Sequence, residues 1–164
     1  MATYQTTRFG EIEVEEEKII HFKEGLPAFE DEEKFIVVPY EEGSPYVFLQ
    51  SLQTPYLAFL MAIPFLFFPN YQFELTDEVQ TELGLEKPED LLLYVMVTIP
   101  KGTKDVKSIT ANLLAPIVIN ARTRLGKQVV LEKSDYQTKH LLFQNQDSKK
   151  IADETAAETG EAKH

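Results

Sequence analysis

Two apolar runs joined by a short basic link, in the stretch ANLLAPIVINARTRLGKQVVL (111–131), constrain this chain more than any other feature. The runs, residues 113–119 and 129–131, flank a polar link at 120–128 that carries Arg122, Arg124 and Lys127. Two strands meeting at a turn fit that pattern, with Gly126 supplying the backbone freedom of a turn or bulge. Pro116 interrupts the first run, and a proline cannot donate to a sheet ladder. The strand is therefore expected at a sheet edge or at a bulge. Edge strands offer unpaired backbone groups to partners. Within the segment the apolar run reads as core, leaving Asn112, Asn120 and the 122–127 link as its exposed parts. Recognition, not chemistry, is the expectation.

The rest of the chain is mostly short strands. They are expected at 4–8, 11–14, 19–22, 35–39, 47–51, 57–63, 91–100 and 109–114, with turn chemistry between them at Phe9-Gly10, Gly25-Leu26-Pro27 and 41–45. The stretch 28–34 reads as a helical turn or an acidic loop, and 102–108 as a basic loop. Ile12 and Val14 alternate with Glu11, Glu13 and Glu15, as on a strand with one wet face. Strands at intervals of roughly 8–12 residues argue for a barrel or sandwich. One helix interrupts them: Thr76 is a natural N-cap, Asp77 and Glu78 suit the first turn, Val79 and Leu83 share a face, and Gly84 suits the C-terminal cap. The fold class expected is mainly β, a small barrel-like domain of about ten short, mostly antiparallel strands with one or two short helices. It should occupy 1–143. Residues 144–164, which lack aromatics and apolar periodicity, are expected to form a disordered or frayed helical tail.

At 164 residues the chain is long enough to bury a real core, and its 43% apolar and 26% charged shares are those of a globular protein. The longest apolar stretch, 57–69, is too short for a spanning helix and is broken by Pro64 and Pro69. The N-terminus lacks the pattern of a signal peptide, and there is no cysteine and no Asn-x-Ser/Thr acceptor. A cytoplasmic protein with no membrane association is expected. Charge is uneven: residues 1–45 hold 12 acids and 4 bases, 46–100 hold 7 and 1, and 101–164 hold 8 and 11. Such a body repels nucleic-acid phosphates and attracts basic proteins.

Chemistry is hard to find. His21 has Glu17 and Glu24 at i−4 and i+3, which converge only on a helix, and the stretch reads as a strand. His21 and His140 are better read as structural or surface residues than as metal ligands. Gly126-Lys127 fails as a phosphate loop, because Ala121 replaces the first glycine and Gln128 the Ser/Thr. The acidic run 30–33 lacks the alternation and glycine of a calcium loop. No catalytic residue, metal site or cofactor is expected. The aromatic stretch Phe65-Leu-Phe-Phe-Pro-Asn-Tyr-Gln-Phe73 carries more weight. Consecutive rings on an extended chain face opposite sides, so Phe65, Phe67 and Phe73 are expected inward. Phe68 and Tyr71 are then candidate contacts beside the carboxylates Glu74, Asp77 and Glu78.

Several of these segments, in order, carry a resemblance. NLLAPIVIN (112–120), GKQVVL (126–131) and DYQTKHLLF (135–143) resemble the flagellar assembly factor FliW family. So do the stretch from GEIEVEEEKIIHFKEGLPAFE to YVFLQSL (10–52), PFLFFP (64–69) and NYQFEL (70–75). The resemblance implies a small barrel-like protein without catalysis that binds two partners in turn. They are flagellin and the RNA-binding translational regulator CsrA, whose repression of flagellin messenger RNA is relieved allosterically. It implies no direct contact with nucleic acid; a monomer is expected when free. Two rivals remain on the residues alone. One is a small-molecule-binding barrel or minor hydrolase with a cavity beneath 65–73 holding His21 or His140 beside a carboxylate. The other is an RNA-binding barrel using Lys101, Lys104, Lys107, Arg122, Arg124 and Lys127.

Overall fold

Alternation along each strand decides which side chains face inward, and the register across strands agrees with it throughout. The computed structural model describes residues 1–102, 106–132 and 134–143. Its strands are β1 (Ala2–Thr6), β2 (Gly10–Val14), β3 (Ile20–His21), β4 (Lys34–Pro39), β5 (Tyr46–Ser51), β6 (Ala58–Ala62), β7 (Leu91–Thr98), β8 (Thr110–Ala111), β9 (Ile117–Asn120), β10 (Gly126–Gln128) and β11 (His140–Leu141). The helix is α1 (Asp77–Leu83). One antiparallel path runs β3-β4-β5-β6-β7-β9-β10, and β8 and β11 extend from β7. The two ends of the path touch at one point, where His21 bridges Leu125 and its N–H donates to the Arg124 carbonyl at 2.8 Å. The result is mainly β and barrel-like, closed by a single bridge.

Phe35 and Val37, Val47 and Leu49, Phe59 and Met61, Leu92, Tyr94 and Met96, and Ile117 and Ile119 all fall on the inner face. Phe22 and Leu26 plug one end, and Ile20, Phe22, Phe35, Met61, Ile117 and Ile119 are fully buried. Each such side chain contributes roughly 1.5–3 kcal/mol relative to exposure. Outside, Leu93, Val95, Val97 and Val118 are covered by Val79 and Leu83 of α1, with Phe67, Tyr71, Leu131, Leu142 and Phe143. Thus β7 and β9 are buried on both faces, which accounts for the unbroken apolar run LLLYVMV (91–97).

The opening segment folds differently from its sequence expectation. β9 lies between β7 and β10, so it is a central strand and not an edge. Pro116 immediately precedes it, and its carbonyl accepts from the Val129 N–H at 2.9 Å, a bond that needs no N–H from the ring. The second strand is the polar Gly126–Gln128, whereas residues 129–131 run on outside the ladder, tied by Leu131 N–H to the Leu114 carbonyl. The turn residue with positive φ is Arg124, at 61°. Gly126 serves close approach instead: a Cβ there would lie 2.8 Å from two ring atoms of Phe22. The expected strand at 109–114 shrinks to Thr110–Ala111. At the N-terminus β1 and β2 form a separate two-stranded ribbon. Its loop, residues 7–9, ends on Gly10 at φ 69°, and β1 stops at Thr6 because Thr6 Oγ1 accepts the Phe9 N–H and donates to the Gly10 carbonyl. The tail expected at 144–164 and residues 103–105 of the basic loop lie outside the described residues. Among the described residues no helix is long and apolar enough to cross a membrane.

Candidate partner-binding face

The cover over β7 and β9 starts with Pro64, which opens a 3-10 turn at Pro64–Leu66. With three residues per turn, positions 64 and 67 point the same way. Pro64 and Phe67 are buried, while Phe65 and Leu66 are 47% and 56% exposed. Phe65 therefore corrects its expected inward placement, because a period of three replaces the period of two assumed for a strand. Phe65 and Leu66 were missed as surface aromatic and apolar groups, and Pro64 was the available signal. Phe73 is half-buried, and Phe68 is half-buried against His140, their ring centroids 6.2 Å apart.

Tyr71 is not a surface contact. Only 4% exposed, it donates its hydroxyl to the Leu113 carbonyl at 2.7 Å and packs edge-on to Tyr136 at 4.7 Å. Burial, with Tyr136 beside it, holds its phenol well above the ordinary range. Asn120 is likewise a correction, being fully buried. Its Oδ1 accepts the N–H groups of Arg122 and Thr123, and its Nδ2 donates to the Leu83 carbonyl at 2.8 Å. Asn112 is half-buried and caps a local turn by accepting the Ala115 N–H at 3.0 Å. The two asparagines shape the chain and do not frame an exposed strand.

Glu74, Asp77 and Glu78 are exposed and form no ion pair among the described residues. Asp77 and Glu78 lie in the first turn of α1, and both ends of that helix are capped. Thr76 accepts the Val79 N–H at 3.2 Å, and Gly84 takes φ 67° at the other end of α1. Beyond that end, Arg122 donates to the Gly84 carbonyl at 2.6 Å and pairs with Glu86 and Asp90. Lys127 binds Glu82 at 2.7 Å and Glu24 at 3.6 Å, and the hydrogen bond to Glu82 raises its pKa. Arg124 donates to the carbonyls of Lys18 and Ala121. These three cations, proposed above as phosphate contacts, are thus engaged within the protein. Two surface clefts of about 420 and 280 Å³ flank the barrel seam and share His21, Lys23 and Leu125. Glu33 lines one and Glu24 the other, and both lie at the seam, whereas Phe67 and Tyr71 of the 65–73 stretch pack into the cluster over β7 and β9. Among the described residues no group of three or more His, Cys, Asp or Glu could hold a metal ion.

His140 gives a pH-dependent expectation. Its Nε2 accepts the Gln137 N–H at 2.8 Å, and desolvation lowers its pKa from the ordinary 6.5. The unfolded chain then binds the proton more readily, so stability is full above about pH 6.5 and falls as pH drops through that value towards the lowered one. Thermal midpoints between pH 7.5 and 5 are expected to fall more steeply for the native protein than for His140→Phe. Parallel curves would refute this contribution.

A buried barrel core, exposed carboxylates around the start of α1, and the exposed Phe65 and Leu66 together define a small, mainly β protein whose outer surface is its distinctive feature. The chain matches the family model described as FliW protein over residues 3–142. It is similar to proteins named flagellar assembly factor FliW from Moorella thermoacetica, 44% identical over 84% of this chain and 86% of that one, and Geobacillus kaustophilus, 45% identical over 84% and 93%. The like-named protein of Syntrophomonas wolfei is 42% identical over 94% and 97%. A crystal structure of the flagellar assembly factor FliW superposes with a TM-score of 0.79 at 39% identity, covering 88% of this chain and 99% of that one. The chain belongs to the FliW family of flagellar assembly factors.

Proposed function

We propose that this protein is a non-enzymatic, cytoplasmic flagellar assembly factor that binds flagellin. When free of flagellin it binds the RNA-binding translational regulator CsrA and antagonises, allosterically, its repression of flagellin messenger RNA. The observation that carries this reading is family membership across nearly the whole described chain. The charge distribution supports it, since an acidic body suits a basic, RNA-binding partner and disfavours direct binding of nucleic acid. Flagellin and the regulator, purified and titrated separately by calorimetry, are each expected to bind, with affinities unchanged by chelator or nucleotide. Absence of heat with both would overturn the reading.

The regulator is assigned to the Glu74, Asp77 and Glu78 face, with Phe65, Leu66 and Phe68 as its apolar neighbours in sequence. Reversing all three carboxylates to lysine is expected to weaken the regulator complex about tenfold or more at low salt. The loss should appear chiefly in association rate and shrink as salt rises. Equal affinity of variant and native protein at low salt would remove this face from the account.

A further inference from the structure

The β1–β2 ribbon carries a feature that neither the barrel nor the α1 face uses. Each strand pairs only with the other, leaving an outer backbone edge on β2 with no strand beside it among the described residues. An antiparallel strand directs alternate N–H and C=O groups away from its partner, so the β2 edge is a template for one further strand. The ribbon is held firmly enough to serve. Thr6 at the loop end and Val14 at the opposite end are buried, Phe9 packs on Phe48 at 5.7 Å, Arg8 lies 4.5 Å over the same ring, and the Thr7 N–H donates to the Pro55 carbonyl.

We propose that the outer edge of β2, Gly10–Val14, receives an extended peptide segment with lysine or arginine at alternate positions. Side chains decide the occupant. Glu11 and Glu13 share one exposed face, and Glu15 continues it just past the strand. Glu11 accepts only from Gln5 within the ribbon, and neither Glu13 nor Glu15 has an ion-pair partner among the described residues. A second copy pairing edge to edge would set these carboxylates against each other, which is destabilising. A neutral strand would leave them uncompensated. A strand with cations at every second residue sets each beside a carboxylate at about 4.5–5.5 Å between Cβ atoms. Its intervening side chains would lie on the half-buried Tyr4 and Ile12 face, where Thr or Val fits. Five ladder residues span about 17 Å, so the segment need be no longer than a single short strand. This edge is separate from the α1 face and does not depend on the partners proposed above.

The test uses the full chain, isotopically labelled, and a nine-residue peptide with Lys at every second position and Thr or Val between. At low salt the peptide is expected to shift the amide resonances of residues 10–14 and to slow their hydrogen exchange. Glu11→Lys with Glu13→Lys should weaken binding about tenfold or more, and Glu11→Gln with Glu13→Gln by less. Methylating alternate peptide nitrogens on the edge facing β2 should cost a similar factor, because it removes backbone donors while keeping the charges. Absence of binding, shifts located away from residues 10–14, or equal affinity of the methylated peptide would each overturn strand addition.

Discussion

Asn120→Ala is expected to lower stability by about 3 kcal/mol, read as a thermal midpoint some 6–12 °C lower. The effect is large because three hydrogen bonds converge on one fully buried side chain. Removing it leaves the N–H groups of Arg122 and Thr123 without their acceptor and takes one of the two side-chain donors from the Leu83 carbonyl, the other being Thr123 Oγ1 at 2.9 Å. The functional consequence follows from position. Leu83 ends α1, so Asn120 fixes the far end of the helix whose first turn holds Asp77 and Glu78. Asn120→Asp separates the contributions. It keeps an acceptor for both turn N–H groups but sets a carboxylate oxygen against the Leu83 carbonyl, so its folded-state pKa should be raised. Its deficit is expected to be largest at neutral pH and to shrink as pH falls and the acid regains a donor. An Asn120→Ala protein within 0.5 kcal/mol of native (~1–2 °C in midpoint) would contradict the assignment.

Gly126→Val is the second large effect, expected to cost about 3 kcal/mol by overfilling the barrel end. A Cβ there would lie 2.8 Å from Cε1 and Cζ of Phe22 and 3.1 Å from Cγ2 of Ile20. Phe22 cannot yield easily, being fully buried and packed edge-on against Phe35 at 5.2 Å. Urea denaturation should show a lower midpoint for the valine variant, with a smaller loss for Gly126→Ala. Combining Gly126→Ala with Phe22→Leu should cost less than the sum of the single changes by roughly 1 kcal/mol, since the leucine removes the crowding atoms. Strict additivity would show that the two positions do not meet.

Local chemistry was the legible part of this molecule. Thr76, Val79, Leu83 and Gly84 determine α1 through capping and i, i+4 spacing, and it forms between them as expected. The turn at Phe9-Gly10 and most strand positions follow from alternation and turn residues in the same way. What required the third dimension was pairing. Gly126, Lys127 and Gln128 have little intrinsic strand preference, and they form β10 because β9 lies beside them. Arg124 takes a positive φ that its identity does not announce. At the candidate face the carboxylates were readable as solvent-exposed, because charged side chains rarely bury without partners. The rings were not, since their direction depended on Pro64 starting a 3-10 turn. Tyr71 and Asn120 read as surface groups because nothing local reveals that the Leu113 and Leu83 carbonyls, 42 and 37 residues away, satisfy them.

The proposed function has this protein act through its surface on two protein partners, with the regulator at the acidic end of α1. The most direct measurement is a map of amide chemical shifts with labelled protein titrated separately with flagellin and with the CsrA-type regulator. The account predicts saturable shifts with each partner, those from the regulator centred on residues 74–80 and weakened by salt. No shifts with either partner, or regulator shifts confined to the His21 clefts while residues 74–80 stay fixed, would contradict it.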